Sequence, residues 1–253
     1  MNAALASLAS ALQTPSPWLL PHLSIARRVV DAADSQSVAT ALNAARDDDK
    51  LCFVEQSALP AGEPYEAFIR RTARIPTRDN LHDLFNGLMW LGYPQTKRRL
   101  NALQAQQIAL HRTTGARGSL RDAMTLFDEN AAILQAPAML VAALRERDWN
   151  TLFVKHRAHW KTARLVVFGH ALLEKLMQPR KAITAHVWLI DELSDDALAS
   201  SLVPERLAAK DFLPLPVLGV PGWWQANEEP GFYDDADVFR THRTRVDGRE
   251  HRT

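Results

Sequence analysis

The segment from Asp79 to Pro94, DNLHDLFNGLMWLGYP, constrains the fold more than any other part of this chain. At about 100° per residue it predicts a helix with two different faces. The first face is an apolar stripe formed by Leu81, Leu84, Phe85 and Leu88. The opposite face carries His82, Asp83, Asn86, Gly87 and Trp90. A solvated face has no reason to carry Trp, which buries a large apolar area, and it gains little from His and Asn, which are poor helix formers. We therefore expect both faces of this helix to be covered.

The polar side chains on the second face are candidates for a site. Buried polar groups need partners, which either the protein or a ligand supplies. One interpretation is a polar network that only fixes helix packing. The other is a ligand or metal site, in which His82 is the acid/base group or a metal ligand and Asp83 orients it or shares the metal. In that site Asn86 would hydrogen-bond to the substrate.

The next helix is expected to begin at Pro94, which suits the first helical position, and to continue through QTKRRLNALQAQQIALHR. Lys97 and Arg98 sit near its start, where the helix macrodipole disfavours cations. One explanation is an anionic ligand at the Pro94 end, held by Lys97 and Arg98, with Asn101 on the same stripe as Lys97. The other is that the basic side chains reach acidic residues or water.

Two further pairs of side chains extend the candidate site. Asp128 and Glu129 are adjacent acids in MTLFDENAAIL, which we interpret as two short strands around a turn. They are either candidate catalytic carboxylates or plain turn residues. His170 and Glu174 are four residues apart in a predicted helix. That spacing suits two ligands of one metal, a carboxylate that orients an imidazole, or a simple side-chain pair.

Helical patterns cover most of the chain, including the whole stretch from Ala136 to Pro179. The strand candidates are LCFVEQS, from Leu51, and ITAHVWLID, from Ile183. The Pro- and Gly-rich segment from Phe212 to Asp235 predicts an ordered loop over the surface, held by Trp223, Trp224, Phe232 and Tyr233. These patterns predict a helix-rich α+β fold with at most a small sheet. We expect one globular domain over residues 1–240 and a basic, flexible tail over residues 241–253.

Composition excludes several classes of protein. Cys52 is the single cysteine, so neither a disulfide within the chain nor a Cys-based zinc site is available, and a cytoplasmic location is expected. A formal net charge of +1 gives no support to a nucleic-acid or membrane partner. The P-loop, GxGxxG, GxSxG and HExxH patterns are all absent from the sequence. Nothing in the sequence identifies a protein partner.

Three motifs carry a resemblance to a known family. They are IPTRDNLHDLFNGLMWLGYPQTKRRLN, LFDEN and PLPVLGVPGWW, in that order. With them the chain resembles, from about Phe53 to Arg240, a proteobacterial family known only as domain of unknown function 3025. The resemblance implies a bacterial cytosolic protein, and the family brings neither an established activity nor site residues. The glycine that usually follows LFDEN in that family is replaced by Ala131.

The His82-Asp83 doublet is also similar to the helical His-Asp doublet of the metal-dependent HD-type phosphohydrolases. Their pattern requires another His upstream and an Asp downstream. His22 is the only upstream histidine, and it lies in a proline-flanked segment rather than in a clear helix. The resemblance implies a metal held by the doublet.

Two hypotheses on function follow. The first is a cytosolic enzyme of hydrolase type that acts on a small anionic substrate in a polar pocket around His82 and Asp83, with a divalent metal as candidate cofactor. The second is a non-catalytic binding or scaffold protein that uses the Trp223-Trp224 loop. An exposed aromatic patch would favour the scaffold. The enzyme requires convergence of His82, Asp83, Asp128, Glu129, His170 and Glu174.

Overall fold

Two small sheets organise the chain, which a computed structural model describes over residues 2–32, 37–47, 49–111 and 118–241. In the first sheet, β1 (Cys52–Glu55) pairs in parallel with β2 (Arg74–Thr77). The second sheet has the order β4-β3-β5-β6. Its strands are β3 (Ala131–Gln135), β4 (Arg164–Val167), β5 (Thr184–Leu189) and β6 (Leu213–Pro216). β3 and β5 are parallel, and β4 and β6 are antiparallel to them at the two edges.

Helices surround both sheets. The α-helices are α1 (Ala3–Ala11), α2 (Leu23–Asp31), α3 (Val38–Ala44), α4 (Tyr65–Thr72), α5 (Leu81–Gly92), α6 (Pro94–His111), α7 (Ser119–Asn130), α8 (Ala138–Arg145), α9 (His170–Leu176), α10 (Asp195–Ser201) and α11 (Pro204–Ala208). Short 3₁₀ turns and one π-helical turn, Thr151–Lys155, connect them. The predicted class, a helix-rich α+β fold, is confirmed. No helix in the described part of the chain combines the length and hydropathy that a membrane span requires.

The centre of the core lies where α7 crosses the larger sheet. β3 begins with the apolar run Ala131 to Leu134, which is almost fully buried, as expected of a strand covered on both faces. The ring of Phe127 packs 5.0 Å from Phe168 and 5.6 Å from Trp188, measured between ring centroids. This packing fixes the carboxyl end of α7, and with it Asp128 and Glu129, directly before the first residue of β3.

Both faces of α5 are covered, as its sequence predicts. Every residue from Asp83 to Trp90 is buried. The helix begins at Asn80, whose side chain accepts a hydrogen bond from the backbone nitrogen of Asp83. On the second face, α3 approaches so closely that a Cβ on Gly87 would meet the side chain of Leu42. Glycine fits at position 87 because it has no Cβ, and any larger residue would collide with α3.

The start of α6 is capped from outside by a carboxylate. Asp195, at the start of α10, accepts hydrogen bonds from the backbone nitrogens of Gln95 and Thr96 at 2.7 and 2.9 Å, and from the Thr96 hydroxyl at 2.7 Å. The free N–H groups at the Pro94 end, where an anionic ligand is one expectation from the sequence, are therefore occupied by the protein itself. A negative charge at this position also offsets the cations of the first turn.

We expect Asp195→Ala to lower the free energy of unfolding by about 1–2 kcal/mol, because it leaves the two capped N–H groups of α6 without their acceptor. The matched control is Asp196→Ala, since Asp196 is the exposed neighbour in the same first turn of α10. Urea denaturation measures both. Equal losses for the two variants would show that the carboxylate of Asp195 does not stabilise the start of α6.

Three interpretations of secondary structure need correction. The predicted hairpin at LFDEN is wrong: residues 119–130 form one helix, α7, which passes into β3 without a loop. The uninterrupted helix predicted through ARLVVFGHALLEKLM is also wrong. Its first part is β4, because Leu165 and Val166 pair with β3, and Gly169 separates that strand from α9.

The segment from Phe212 is not only a loop. Its residues 213–216 form β6 on an edge of the larger sheet, where Pro214 and Pro216 lie opposite His186 and Thr184. Proline lacks an N–H donor, so such a strand is tolerated only at a sheet edge. Residues 242–253 lie outside the described part of the chain, and the flexible basic tail stays a prediction.

Candidate functional site

A cavity of about 320 Å³ opens between α4, α5, α6, α7 and the start of α9. Eight of the side chains proposed from the sequence line it: His82, Asp83, Asn86, Lys97, Asn101, Asp128, Glu129 and His170. Glu174 is not part of the lining, but its carboxylate contacts the lining residue His82. Arg98 instead faces a separate, smaller cavity of about 80 Å³ with Arg46 and Phe53. It follows Lys97 by one residue, and one residue turns a helix by about 100°.

Three ligand-type atoms converge at one end of the cavity. The Nε2 atoms of His82 and His170 are 3.1 Å apart. A carboxylate oxygen of Glu129 lies 3.5 Å from Nε2 of His170 and 4.0 Å from Nε2 of His82. The His82 and Glu129 side chains are each about one third exposed, whereas His170 is buried. The described part of the chain thus brings together two imidazoles and a carboxylate that could hold one metal ion.

Glu174 sets the orientation of His82. Its carboxylate lies 3.0 Å from Nδ1 of His82. Because a carboxylate only accepts, His82 carries its proton on Nδ1, and the lone pair of Nε2 points towards His170 and Glu129. The two members of the i, i+4 pair therefore have different positions. His170 belongs to the three-atom cluster, whereas the Glu174 carboxylate orients the imidazole of His82. The structure thus pairs Glu174 with an imidazole other than the one four residues before it, which the spacing alone did not predict.

The backbone directly before His170 packs tightly against the end of α7. Gly169 lies against the end of α7, where an added Cβ would be 2.5 Å from the Asn130 nitrogen and from the Glu129 carbonyl oxygen. Burial, opposed by the charge of Asp128, lowers the pKa of His170 to about 4, so the imidazole is neutral at neutral pH. Its Nδ1 is buried without a hydrogen-bond partner among the described residues and lies 3.9 Å from a carboxylate oxygen of Asp128.

A buried ion pair forms the floor of the cavity. The Lys97 ammonium donates hydrogen bonds to Asp128 and, at 2.8 Å, to the side-chain oxygen of Asn86, and it lies 5.4 Å from the ring centroid of Trp90. Burial alone would raise the pKa of Asp128, but the Lys97 ammonium and then His170 hold it below its usual value. Burial and the charge of Asp128 raise the pKa of Glu129.

Asp83 does not orient His82. Both of its carboxylate oxygens bind Arg78, one of them 2.6 Å from the backbone nitrogen and both within 3.1 Å of the guanidinium. His22 belongs neither to the cluster nor to the cavity lining, and its Nε2–H donates to the carbonyl of Val167 at 2.9 Å. The arrangement implied by the resemblance to HD-type phosphohydrolases is therefore not formed. Asn101 lines the cavity while it donates to the carbonyl of Glu66.

The tryptophans of the C-terminal segment pack inwards. Trp223 lies 6.2 Å from Trp18, and Trp224 lies 5.9 Å from Phe232, between ring centroids. Both are partly buried against the hydrophobic core. The large hydrophobic side chains that are exposed among the described residues are all non-aromatic: Leu20, Leu110, Met139, Val154 and Val203. No observation therefore favours the scaffold hypothesis over the cavity.

A comparison with protein families matches residues 51–243 to the family described as Protein of unknown function (DUF3025). The chain belongs to this family. The resemblance carried by the sequence motifs is thereby confirmed. Comparisons with curated proteins and with solved structures give no significant match. Every side chain that lines the cavity, from Gln56 to His170, falls inside the part of the chain that matches DUF3025.

The cavity of this DUF3025 protein has an excess of negative charge. Its lining contains two cationic side chains, Arg78 and Lys97, and each is paired with a carboxylate. The formally anionic side chains of the lining are Glu66, Asp83, Asp128 and Glu129. With neutral histidines, the lining carries two more negative than positive charges, and Glu174 adds another nearby. This field favours a cation at the cluster.

Sequence reasoning missed several lining residues of the DUF3025 cavity, among them Tyr65 and Arg78. Gln104 stands on the same stripe of α6 as Lys97 and Asn101, so its position was visible in the helical spacing. Arg78 lies in the short link between β2 and α5, where no periodic pattern indicates which way a side chain points, and Tyr65 is the first residue of the eight-residue helix α4.

Proposed function

We propose that this protein is a metal-dependent enzyme of hydrolase type, with one divalent ion held by His82, Glu129 and His170. The observation that carries the proposal is the triangle of 3.1, 3.5 and 4.0 Å between their ligand atoms. Two ligand atoms that each lie about 2.1 Å from a tetrahedral ion are roughly 3.4 Å apart. The triangle therefore has the size that a small divalent ion requires.

The surroundings of the triangle support the same proposal. Metal-binding histidines usually donate their other N–H to a carboxylate or carbonyl group, and Glu174 accepts such a bond from His82. His170 is neutral at neutral pH, so its Nε2 can offer a lone pair. A divalent cation would also balance the excess negative charge of the lining.

Three protein ligands leave a coordination position for water or a substrate oxygen, and a bound divalent ion makes water a stronger acid and polarises a substrate oxygen. Hydrolysis fits a site of this kind. A cavity of about 320 Å³ is at the lower end of the roughly 300–1,000 Å³ typical of small-molecule sites, so the substrate is small. A cytoplasmic location stays a prediction from the single cysteine.

The anionic substrate expected from Lys97 and Arg98 would depend on the metal ion. Lys97 is already paired with Asp128, and Arg98 faces the other cavity. The competing interpretation is a polar packing network, in which Nε2–H of His170 donates to Nε2 of His82. In that network the buried Nδ1 of His170 is an acceptor without a donor, which costs free energy.

Titration of the chelator-treated protein with Zn²⁺, Mn²⁺ and Ni²⁺ tests the proposal. We expect at least one of these ions to bind with a stoichiometry of one per chain, as measured by calorimetry and by elemental analysis after dialysis. Because the ion would bind the folded state only, a concentration of about 100 times the Kd should stabilise that state by about 2.7 kcal/mol. If none of the three ions binds in this ratio or raises the melting temperature, the packing network is the correct interpretation.

A further inference from the structure

Tyr65 lines the cavity and has a hydroxyl donor without an acceptor among the described residues. Its hydroxyl oxygen accepts a hydrogen bond from the side-chain nitrogen of Asn86 at 3.1 Å. Among the described residues, its proton has no acceptor, although the side chain lines the cavity together with His82, Glu129 and His170. Burial, followed by the charges of Asp83 and Asp128, raises the pKa of Tyr65, so the hydroxyl keeps its proton.

The position of this hydroxyl is set by a chain of hydrogen bonds. Asn86 donates to Tyr65 and accepts from Lys97, which in turn donates to Asp128. Because Asn86 uses its NH₂ group towards Tyr65 and its oxygen towards Lys97, the orientation of its amide is fixed. Asn86 and Lys97 are both buried. The donor of Tyr65 is therefore held in place before any ligand binds, which is what preorganised recognition requires.

The charges of the cavity indicate what this donor would bind. A phosphate or another dianion would need unpaired cations, whereas Lys97 and Arg78 are already neutralised by Asp128 and Asp83. Other carboxylates in the lining would repel a dianion. A neutral carbonyl compound needs only a cation and a hydroxyl or amide donor. The cavity contains the three-atom cluster that would hold the cation, and its lining includes Tyr65 as the donor.

We infer that the substrate is a small neutral acyl compound, an ester or a carboxamide, whose carbonyl oxygen accepts a hydrogen bond from the Tyr65 hydroxyl. The inference rests on the proposed metal-dependent function. In the corresponding hydrolysis, the oxygen of water bonds to the carbonyl carbon and the C–O or C–N bond breaks. The leaving alcohol or amine takes a proton, and the other product is a carboxylic acid.

Probe binding to the cobalt-loaded protein tests this inference. Acetohydroxamate, a small acyl compound, and azide, which has no carbonyl oxygen, are titrated separately while the visible spectrum of Co²⁺ is recorded. We expect Tyr65→Phe to raise the Kd of acetohydroxamate roughly two- to tenfold, the value of one hydrogen bond. The Kd of azide and that of Co²⁺ should stay within about twofold. Tyr93→Phe is the matched control, because Tyr93 is partly buried outside the lining of this cavity.

The possible failures are distinguishable. If Tyr65→Phe weakens neither probe, or weakens both equally, the hydroxyl does not bind a carbonyl oxygen. If inorganic phosphate binds the wild-type cobalt protein more tightly than acetohydroxamate, the acyl class is wrong. If the wild-type protein takes up no cobalt and none of the other ions, the proposed function fails and this inference fails with it.

Discussion

Replacement of His82 by alanine is expected to weaken binding of the divalent ion at least about 100-fold and to leave the melting temperature of the metal-free protein nearly unchanged. The first effect follows from the proposal, because the variant removes one of the three proposed protein ligands. The second follows because the His82 side chain is about one third exposed and its contacts are polar, so its loss opens no apolar cavity. Calorimetric titration gives the affinity, and thermal unfolding gives the stability.

Two companion variants sharpen the result for His82. His159→Ala removes an exposed histidine outside the cavity lining, so its metal affinity should equal that of the wild type. Glu174→Gln keeps the size of the side chain but removes the charge that orients His82, so affinity should fall about 10- to 100-fold. A His82→Ala variant that melts far below the wild type and still binds the ion would assign this histidine to packing instead.

The Lys97→Met variant is expected to lose about 3–5 kcal/mol of unfolding free energy, because it leaves the Asp128 carboxylate in the interior without its counter-charge. Methionine preserves most of the volume of the lysine side chain, so the loss reports on charge rather than on packing. The Lys97 side chain is 4% exposed and that of Asp128 is 19% exposed, so solvent replaces the lost partner poorly. Urea denaturation followed by circular dichroism measures the effect.

A double variant and a control separate charge from packing in this experiment. Adding Asp128→Asn to Lys97→Met removes the unpaired charge and should recover part of the lost stability. Lys175→Met changes an exposed lysine that donates to Asn130, and it should cost less than about 1 kcal/mol. If Lys97→Met is as mild as Lys175→Met, the ion pair does not anchor the floor of the cavity.

Local patterns predicted the elements whose signal lies within a few residues. The two faces of α5 follow from helical spacing together with the improbable Trp90 and Asn86 on its second side. The stripe of α6 that carries Lys97 and Asn101 follows in the same way. Asn80, Ser37 and Ser194 cap their helices with side-chain oxygens, as residues of these types commonly do.

The wrong predictions concern segments whose secondary structure depends on contacts with residues far away in the sequence. LFDEN has the composition of a turn, but Phe127 packs against Phe168 and Trp188, and that packing holds the segment in a helix. Leu165 and Val166 fit a helical pattern in the sequence, but in the fold they belong to β4 and pair with β3. An anionic ligand was one of two expectations at the start of α6, and the anion found there is a carboxylate about 100 residues further along the chain.

The sequence by itself determined that the chain is helix-rich, that α5 is covered on both sides, and that chemically capable side chains stand on its second face. Periodicity and composition carry that information, since each residue's direction follows from its near neighbours. Only the tertiary structure decided which of these side chains meet. His82 and His170 are 88 residues apart, and Glu174 turns to His82 rather than joining His170 in the cluster. Such pairings depend on how α5, α7 and α9 pack in three dimensions, which spacing along the chain does not encode.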